Sequence, residues 1–387
     1  MGGSQTIGRD VSPALDSCAH PTQVPLKRTS PPMLSLLPSF RTGVLAASAL
    51  AFAVLAAPAG AQSSSAEYEV TFDATWSNLT HPGAYPSGAH FSPLIGGTHN
   101  DLLTVWTPGG LASPGIESMA ESGSPVSLRN EINAAIAAGT AGEVINGGSI
   151  GTSPGVANAT FTVTDEFPLV SLTTMIAPSP DWFVGVHDLD LFAGGQWADD
   201  VVVQLFAYDS GTDGGVSFTS SNQDTNPQDP IALQASGPFF GTTPLGTFTF
   251  KRQKSVLRYG SGVNPADSIA YTGTLPTIGQ DVSLVLSDPS GTMGTPSNTL
   301  LAVSTSAVAI TIPNFGLSAP GAPGELLVGP LELGQFGTQW NGSPVTISVA
   351  VPNDLGLVGL TVYTQGVLIE PGSRFGLTDG MALLIGQ

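Results

Sequence analysis

Apolar and polar positions alternate in short stretches along most of this chain, with turn-forming residues between them. Residues 67–71, 160–164, 201–208 and 247–250 are rich in Val, Thr, Phe and Tyr and are bounded by Gly, Pro, Asn or Asp. Such a pattern predicts half-buried β-strands. Later on, 345–351 and 359–364 alternate in the same way. Helical periodicity is scarce. Ser113-Pro114 and Ser124-Pro125 each read as an N-cap followed by proline at the first helical position, and the second leads into Leu128, Ile132 and Ile136 before Gly139. The expected fold is all-β: an antiparallel β-sandwich with one or two short inserted helices. A sandwich or barrel suits this spacing better than a parallel α/β sheet.

The pattern changes near 255–265. Lys251, Arg252, Lys254 and Arg258 cluster just before it, and beyond it aromatics and charges thin out. A boundary there divides the chain into residues 62–254 and a second β-sandwich-like domain at 255–387. No short-period repeat points to a solenoid or propeller.

Residues 1–61 do not read as folded protein. Met33 offers a second start, Arg41 a basic n-region and 43–57 an apolar run, and Ala59-Gly60-Ala61 has the small-x-small cleavage pattern. This arrangement predicts a signal peptide cleaved after Ala61. The run is short for a bilayer span, and no later stretch is long enough for one. Cys18, the only cysteine, lies upstream of it, so no thiolate chemistry or disulfide is expected in the exported part. The whole chain carries a net charge of −19. That balance disfavours nucleic acid and anionic lipid as partners and favours cations.

Candidate chemistry concentrates in 177–213. If 182–192 and 201–208 form a hairpin about Gly194 and Gly195, Asp181 faces Asp209 at its open end. Two carboxylates at cross-strand distance repel unless a cation or donors lie between them. Ser210-Gly-Thr-Asp213 adds a further carboxylate, hydroxyls and carbonyls, an oxygen set that suits Ca²⁺ better than Zn²⁺ or copper. The other reading is that Asp209 and Asp213 cap a turn. His81, His90 and His99 recur every nine residues in a turn-rich region; zinc is one reading and packing the other. Ser149 and Ser153 each sit in a G-x-S-x-G match without strand–turn–helix context. Asp188, Asp190, Asp199 and Asp200 read as an acidic edge.

Residues 66–254 resemble the spondin N-terminal domain, known from animal matrix proteins and bacterial exported proteins. The resemblance rests on Pro178-Ser-Pro-Asp-Trp-Phe-Val-Gly-Val186, Leu189-Asp-Leu191, Trp197, Tyr208-Asp209, Gly211-Thr-Asp213 and Phe218. Upstream it includes Trp76-Ser77, His81-Pro82, Leu94-Ile95-Gly96, Trp106 and Glu131-Ile132. It implies a C2-like sandwich, secretion and a calcium ion at one end. By position, Asp181 and Asp209 match metal-binding carboxylates, while a third family carboxylate, a Glu, falls on Thr162. The C-terminal part resembles a module that ends many exported proteins of planctomycete-like bacteria, through Pro276-Thr-Ile-Gly279, Val351-Pro-Asn-Asp354 and the closing 379–386.

The expected protein is an exported, non-catalytic binding or adhesion module of the cell surface or extracellular matrix. Asp181, Asp209 and Asp213 would hold Ca²⁺, and the partner would be an extracellular glycan or matrix protein. A purely structural surface component is the alternative, and a secreted hydrolase comes third.

Overall fold

The computed structural model describes residues 64–387 apart from 235–237, 240–242, 296, 331–332 and 373. The expected signal peptide and Cys18 lie outside the described residues. The chain opens with β1 (Ser65–Ala74), β2 (His90–Phe91) and β3 (Ile95–His99). Helices α1 (Pro114–Ser122) and α2 (Val126–Ala137) follow. Next come β4 (Ala141–Asn146), β5 (Gly155–Thr164), β6 (Leu169–Ala177) and β7 (Trp182–Asp190). After them run β8 (Asp200–Leu205), β9 (Tyr208–Asp209), β10 (Ala232–Leu233) and the long β11 (Gly246–Tyr259).

These strands build an antiparallel β-sandwich. In one sheet β11, β1 and β5 lie side by side, with β8 also paired to β11; the other runs β10-β9-β7-β6-β3-β4, with β2 on β6. Strand period two decides what goes inside. Tyr68, Val70 and Phe72 of β1 point inward and meet Leu172, Ile176, Trp182 and Val184 from the facing sheet. Each such buried aliphatic or Phe side chain stabilises the fold by about 1.5–3 kcal/mol. Strand β6 is buried on both faces, because Met175 and Ala177 pack instead under the helices, against Ile116, Met119 and Leu128. That double cover explains its nearly unbroken apolar and hydroxyl sequence.

The two helices sit where the serine–proline pairs place them. Ser113 caps α1, accepting from the Ile116 N–H. Pro125 itself takes the N-cap position of α2, without a side-chain cap. Glu131 of α2 instead reaches back to α1. It accepts from the Gly115 N–H at 2.6 Å and the Ser113 hydroxyl at 2.7 Å. A Cβ on Gly115 would lie 2.4 Å from that carboxylate. The helices therefore lock together as one unit.

One sequence expectation fails. Residues 201–208 are not a single strand paired to β7. They divide into β8, which pairs with β11 across the sandwich, and β9, which alone returns to β7. Gly194 and Gly195, both with positive φ, shape a 3-10 turn that starts this crossover rather than a tight hairpin. The physical reason is the apolar set Val201, Val203, Leu205 and Ala207, which faces the core from the first sheet.

The remainder of the chain is also β. It comprises β12 (Ile269–Thr272), β13 (Asp281–Leu286), β14 (Ser297–Ser304), β15 (Ala307–Ile312) and β16 (Gly324–Val328). Then follow β17 (Gly334–Trp340), β18 (Val345–Ala350), β19 (Thr361–Ile369) and β20 (Phe375–Leu384). Strands β17, β14, β19 and β20 continue the first sheet, joined to it by β20 on β11. The sheet β12-β13-β18 covers them through Leu284, Leu286, Leu301, Val303 and Leu383. The boundary expected at 255–265 therefore begins inside a strand: β11 pairs with β1 over 246–256 and with β20 over 255–259.

Candidate metal centre

Asp181 lies one residue before β7, where the Ala177–Asp181 turn leaves β6. Trp182 pairs with Asp209 and Phe183 with Tyr208, which brings the two aspartates to one end of the second sheet. Ser179 fixes the turn: its hydroxyl donates to the Ile176 carbonyl and accepts from the Trp182 N–H. The buried Trp182 ring packs against Phe218 and Phe239, and its Nε1–H donates to Asp209 Oδ2 at 3.2 Å. A core residue thus orients a candidate ligand.

The loop after β9 closes over Asp181. Asp181 Oδ2 accepts from Thr212 N–H at 2.8 Å, the Ser210 hydroxyl at 2.9 Å and Asp213 N–H at 3.1 Å. Gly211 makes this curvature possible. Its φ is +76°, and a Cβ there would sit 2.0 Å from the Asp229 carbonyl oxygen. Asp181 is fully buried, and its Oδ1 has no hydrogen-bond partner. A buried carboxylate oxygen left without a donor costs free energy unless a cation meets it.

The electrostatics are those of crowded carboxylates. Burial, reinforced by the charge of Asp181, raises the Asp209 carboxyl to a pKa of about 6. The Gly211 and Trp182 N–H groups oppose the rise only partly. Among the described residues, no salt bridge brings a Lys or Arg to Asp181, Asp209 or Asp213. The third aspartate, Asp213, is buried and donates its N–H to Asp181, but its own oxygens accept from Gly215 and Gln223 N–H. It also acts as a turn cap.

Among the described residues, no three His, Cys, Asp or Glu side chains converge closely enough to hold a metal alone. Calcium does not require that, since it takes about six to eight oxygens, with carbonyls, hydroxyls and water among them. The orphaned Asp181 Oδ1 beside Asp209 fits a hard cation. It does not fit a soft one.

Thr162, on which the resemblance places a third carboxylate, belongs to β5 opposite Glu67, and its N–H donates to Glu143. Besides Asp229, whose charge helps raise Asp209, an acidic neighbour of the aspartates is Glu121, on α1. Its carboxyl is raised by burial first, then by the charges of Glu117, Asp181 and Asp213, while a hydrogen bond with Thr212 opposes this. Sequence reasoning passed it over. The signal was the i, i+4 pair Glu117 and Glu121 on one face of a short helix.

Other candidates stay apart. His81 lies against the Thr243 carbonyl, His90 against that of Gly88, and the buried His99 against the Ser171 hydroxyl. The Ser153 hydroxyl is buried and donates to the Trp76 carbonyl. Asp188 lies 3.7 Å from His99, Asp190 caps the Phe192 N–H, Asp199 pairs with Arg252, and Asp200 is exposed on β8.

A family model described as Spondin_N matches residues 66–241. Spondin-2 of Rattus norvegicus is 36% identical over 202 residues, covering 49% of this chain and 58% of that protein. Spondin-2 of Homo sapiens is 35% identical over 196 residues. Spondin-1 of Mus musculus is 39% identical over 178 residues, 43% of this chain and 21% of its own length. The chain thus spans little more than half of the Spondin-2 relatives and a fifth of Spondin-1. The matched segment contains β1 through β10, both helices, and all three aspartates. Residues 66–241 are a spondin N-terminal domain.

Proposed function

We propose that this chain is an exported, non-catalytic binding protein whose spondin domain holds Ca²⁺ between Asp181 and Asp209, with Asp213 on the closing loop. The observation that carries it is the buried, unpartnered Asp181 Oδ1 beside a second carboxylate raised to about 6. The ion would supply the countercharge, and these residues would position it: Thr212, Ser210 and Asp213 hold one oxygen of Asp181, leaving the other free. Loop 210–229 and the end of α1 would then present one surface to an extracellular glycan or matrix protein. The spondin relatives support an extracellular matrix or adhesion-type setting, which is the coarser part of this reading. Among the described residues no helix is long and apolar enough to cross a membrane.

Thermal melting with calcium or with chelator tests this reading. The wild type should melt several degrees higher with calcium. Asp181→Asn and Asp209→Asn should each lose that shift. No calcium-dependent shift in the wild type would sink the site, as would an equal shift in both variants.

A further inference from the structure

A cavity of about 280 Å³ lies inside the C-terminal sandwich, between the sheet β12-β13-β18 and strands β14, β19 and β20. Its walls are Val282 and Leu284 of β13, Val303 of β14, Val362 of β19 and Leu383 of β20. Protein interiors seldom leave voids larger than a water molecule. One of this size is nearly twice the ~150 Å³ apolar cavity that stays dry and takes up benzene or xenon. It is unlike a packing defect.

Its chemistry selects the guest. No charged side chain lines it, and the one polar side chain, Thr364, already donates its hydroxyl to the Met381 carbonyl. Nothing inside is left to bind a polar group, so only hydrocarbon enters without losing hydrogen bonds to water. The opening is apolar too. Leu333 and Phe336 are exposed on one side, and Leu357 and Leu360 are half-buried on the other. The only charge on 352–360 is Asp354, which is exposed. Among the described residues, no Lys, Arg or His side chain lines the opening to hold an anionic head.

We propose that this C-terminal sandwich binds a medium-length alkyl chain with an uncharged head: the chain fills the cavity and the head stays at the opening. Scaled from the ~150 Å³ cavity that takes the six carbons of benzene, the space suits a chain of about ten carbons. Such a ligand buries its tail against Val303, Val362 and Leu383 and leaves its hydroxyl or ester in water.

The test is titration calorimetry of the full chain with 1-decanol, and with decanoate at pH 8. Wild type should bind decanol saturably, one to one, and decanoate at least tenfold more weakly. Val303→Phe fills the inner end and Leu360→Trp covers the opening; each should weaken decanol binding at least tenfold with Tm equal or higher. If Val303→Phe does not fold, Leu360→Trp at the half-exposed opening decides alone. Absence of saturable decanol binding overturns the proposal. So does unchanged affinity in a folded Leu360→Trp, or saturable binding of an extended valine-rich peptide with none of decanol. Decanoate binding as tightly as decanol overturns the uncharged head. Chelator should leave decanol binding unchanged, so the result stands apart from the calcium site.

Discussion

Asp181 gathers donors on one oxygen while its other oxygen has none. The consequence reaches Asp209, whose carboxyl is raised to about 6 by burial and by the Asp181 charge. Below its unfolded value near 3.8, the metal-free fold keeps the full benefit of holding that proton more tightly than the unfolded chain. This benefit is lost as pH rises through 6. Metal-free protein should therefore lose roughly 2 kcal/mol of stability from this group between pH 4 and 6, allowing for its partial exposure. Calcium needs the deprotonated form, so its affinity should fall about tenfold per pH unit below 6, measured by titration in calcium buffers. Asp181→Asn removes the neighbouring charge, and the Asp209 titration followed by NMR should move down from 6. Gly211→Ala meets both a positive φ and the Asp229 carbonyl. It should cost about 2 kcal/mol or more in urea unfolding and loosen the loop over Asp181.

At the scale of elements, α1 connects two features that the sequence shows only separately. Its start is capped by Ser113 and by Glu131 from α2, and Glu121 near its end interacts with Thr212. Glu131→Ala should destabilise the helical unit by about 1–3 kcal/mol and speed amide exchange at Gly115 and Ile116, which hydrogen–deuterium exchange reads directly. The strand β9 brings Asp181 and Asp209 to one end of the sheet by a different pairing from the one expected. The expected hairpin put Asp181 opposite Asp209; the structure pairs Trp182 with Asp209, one residue away. Only β9's two residues return to β7, while β8 crosses to the other sheet.

Across the whole molecule, β11 belongs to both halves: β1 and β8 flank its first part, and β20 pairs with its last residues. Val256 on this strand already packs with Leu284 and Leu383 of the C-terminal core. Unfolding either half must disturb a ladder that the other half uses. Scanning calorimetry should therefore give one cooperative transition for residues 62–387, whereas two separated peaks would show that β11 does not couple the halves. A chain stopped after residue 254 loses the β20 partner of β11 and should melt at lower temperature.

By itself the sequence determined what depends on local periodicity and chemistry. Alternation marked β1, β5, β18 and β19, the serine–proline pairs marked both helices, and Pro-Ser-Pro-Asp-Trp with Tyr-Asp-Ser-Gly-Thr-Asp marked the aspartates. Strand period and capping act within a few residues, so they are legible without a fold. Tertiary structure alone decided which sheet β8 joins, that Glu121 rather than Thr162 neighbours the aspartates, and that β11 ties the halves together. Each of these rests on contact between segments distant in the chain, where the burial of Val203 and Leu205 or the approach of α1 to loop 210–229 outweighs local preference. The cavity in the C-terminal sandwich is likewise a property of two packed sheets, and no single strand announces it.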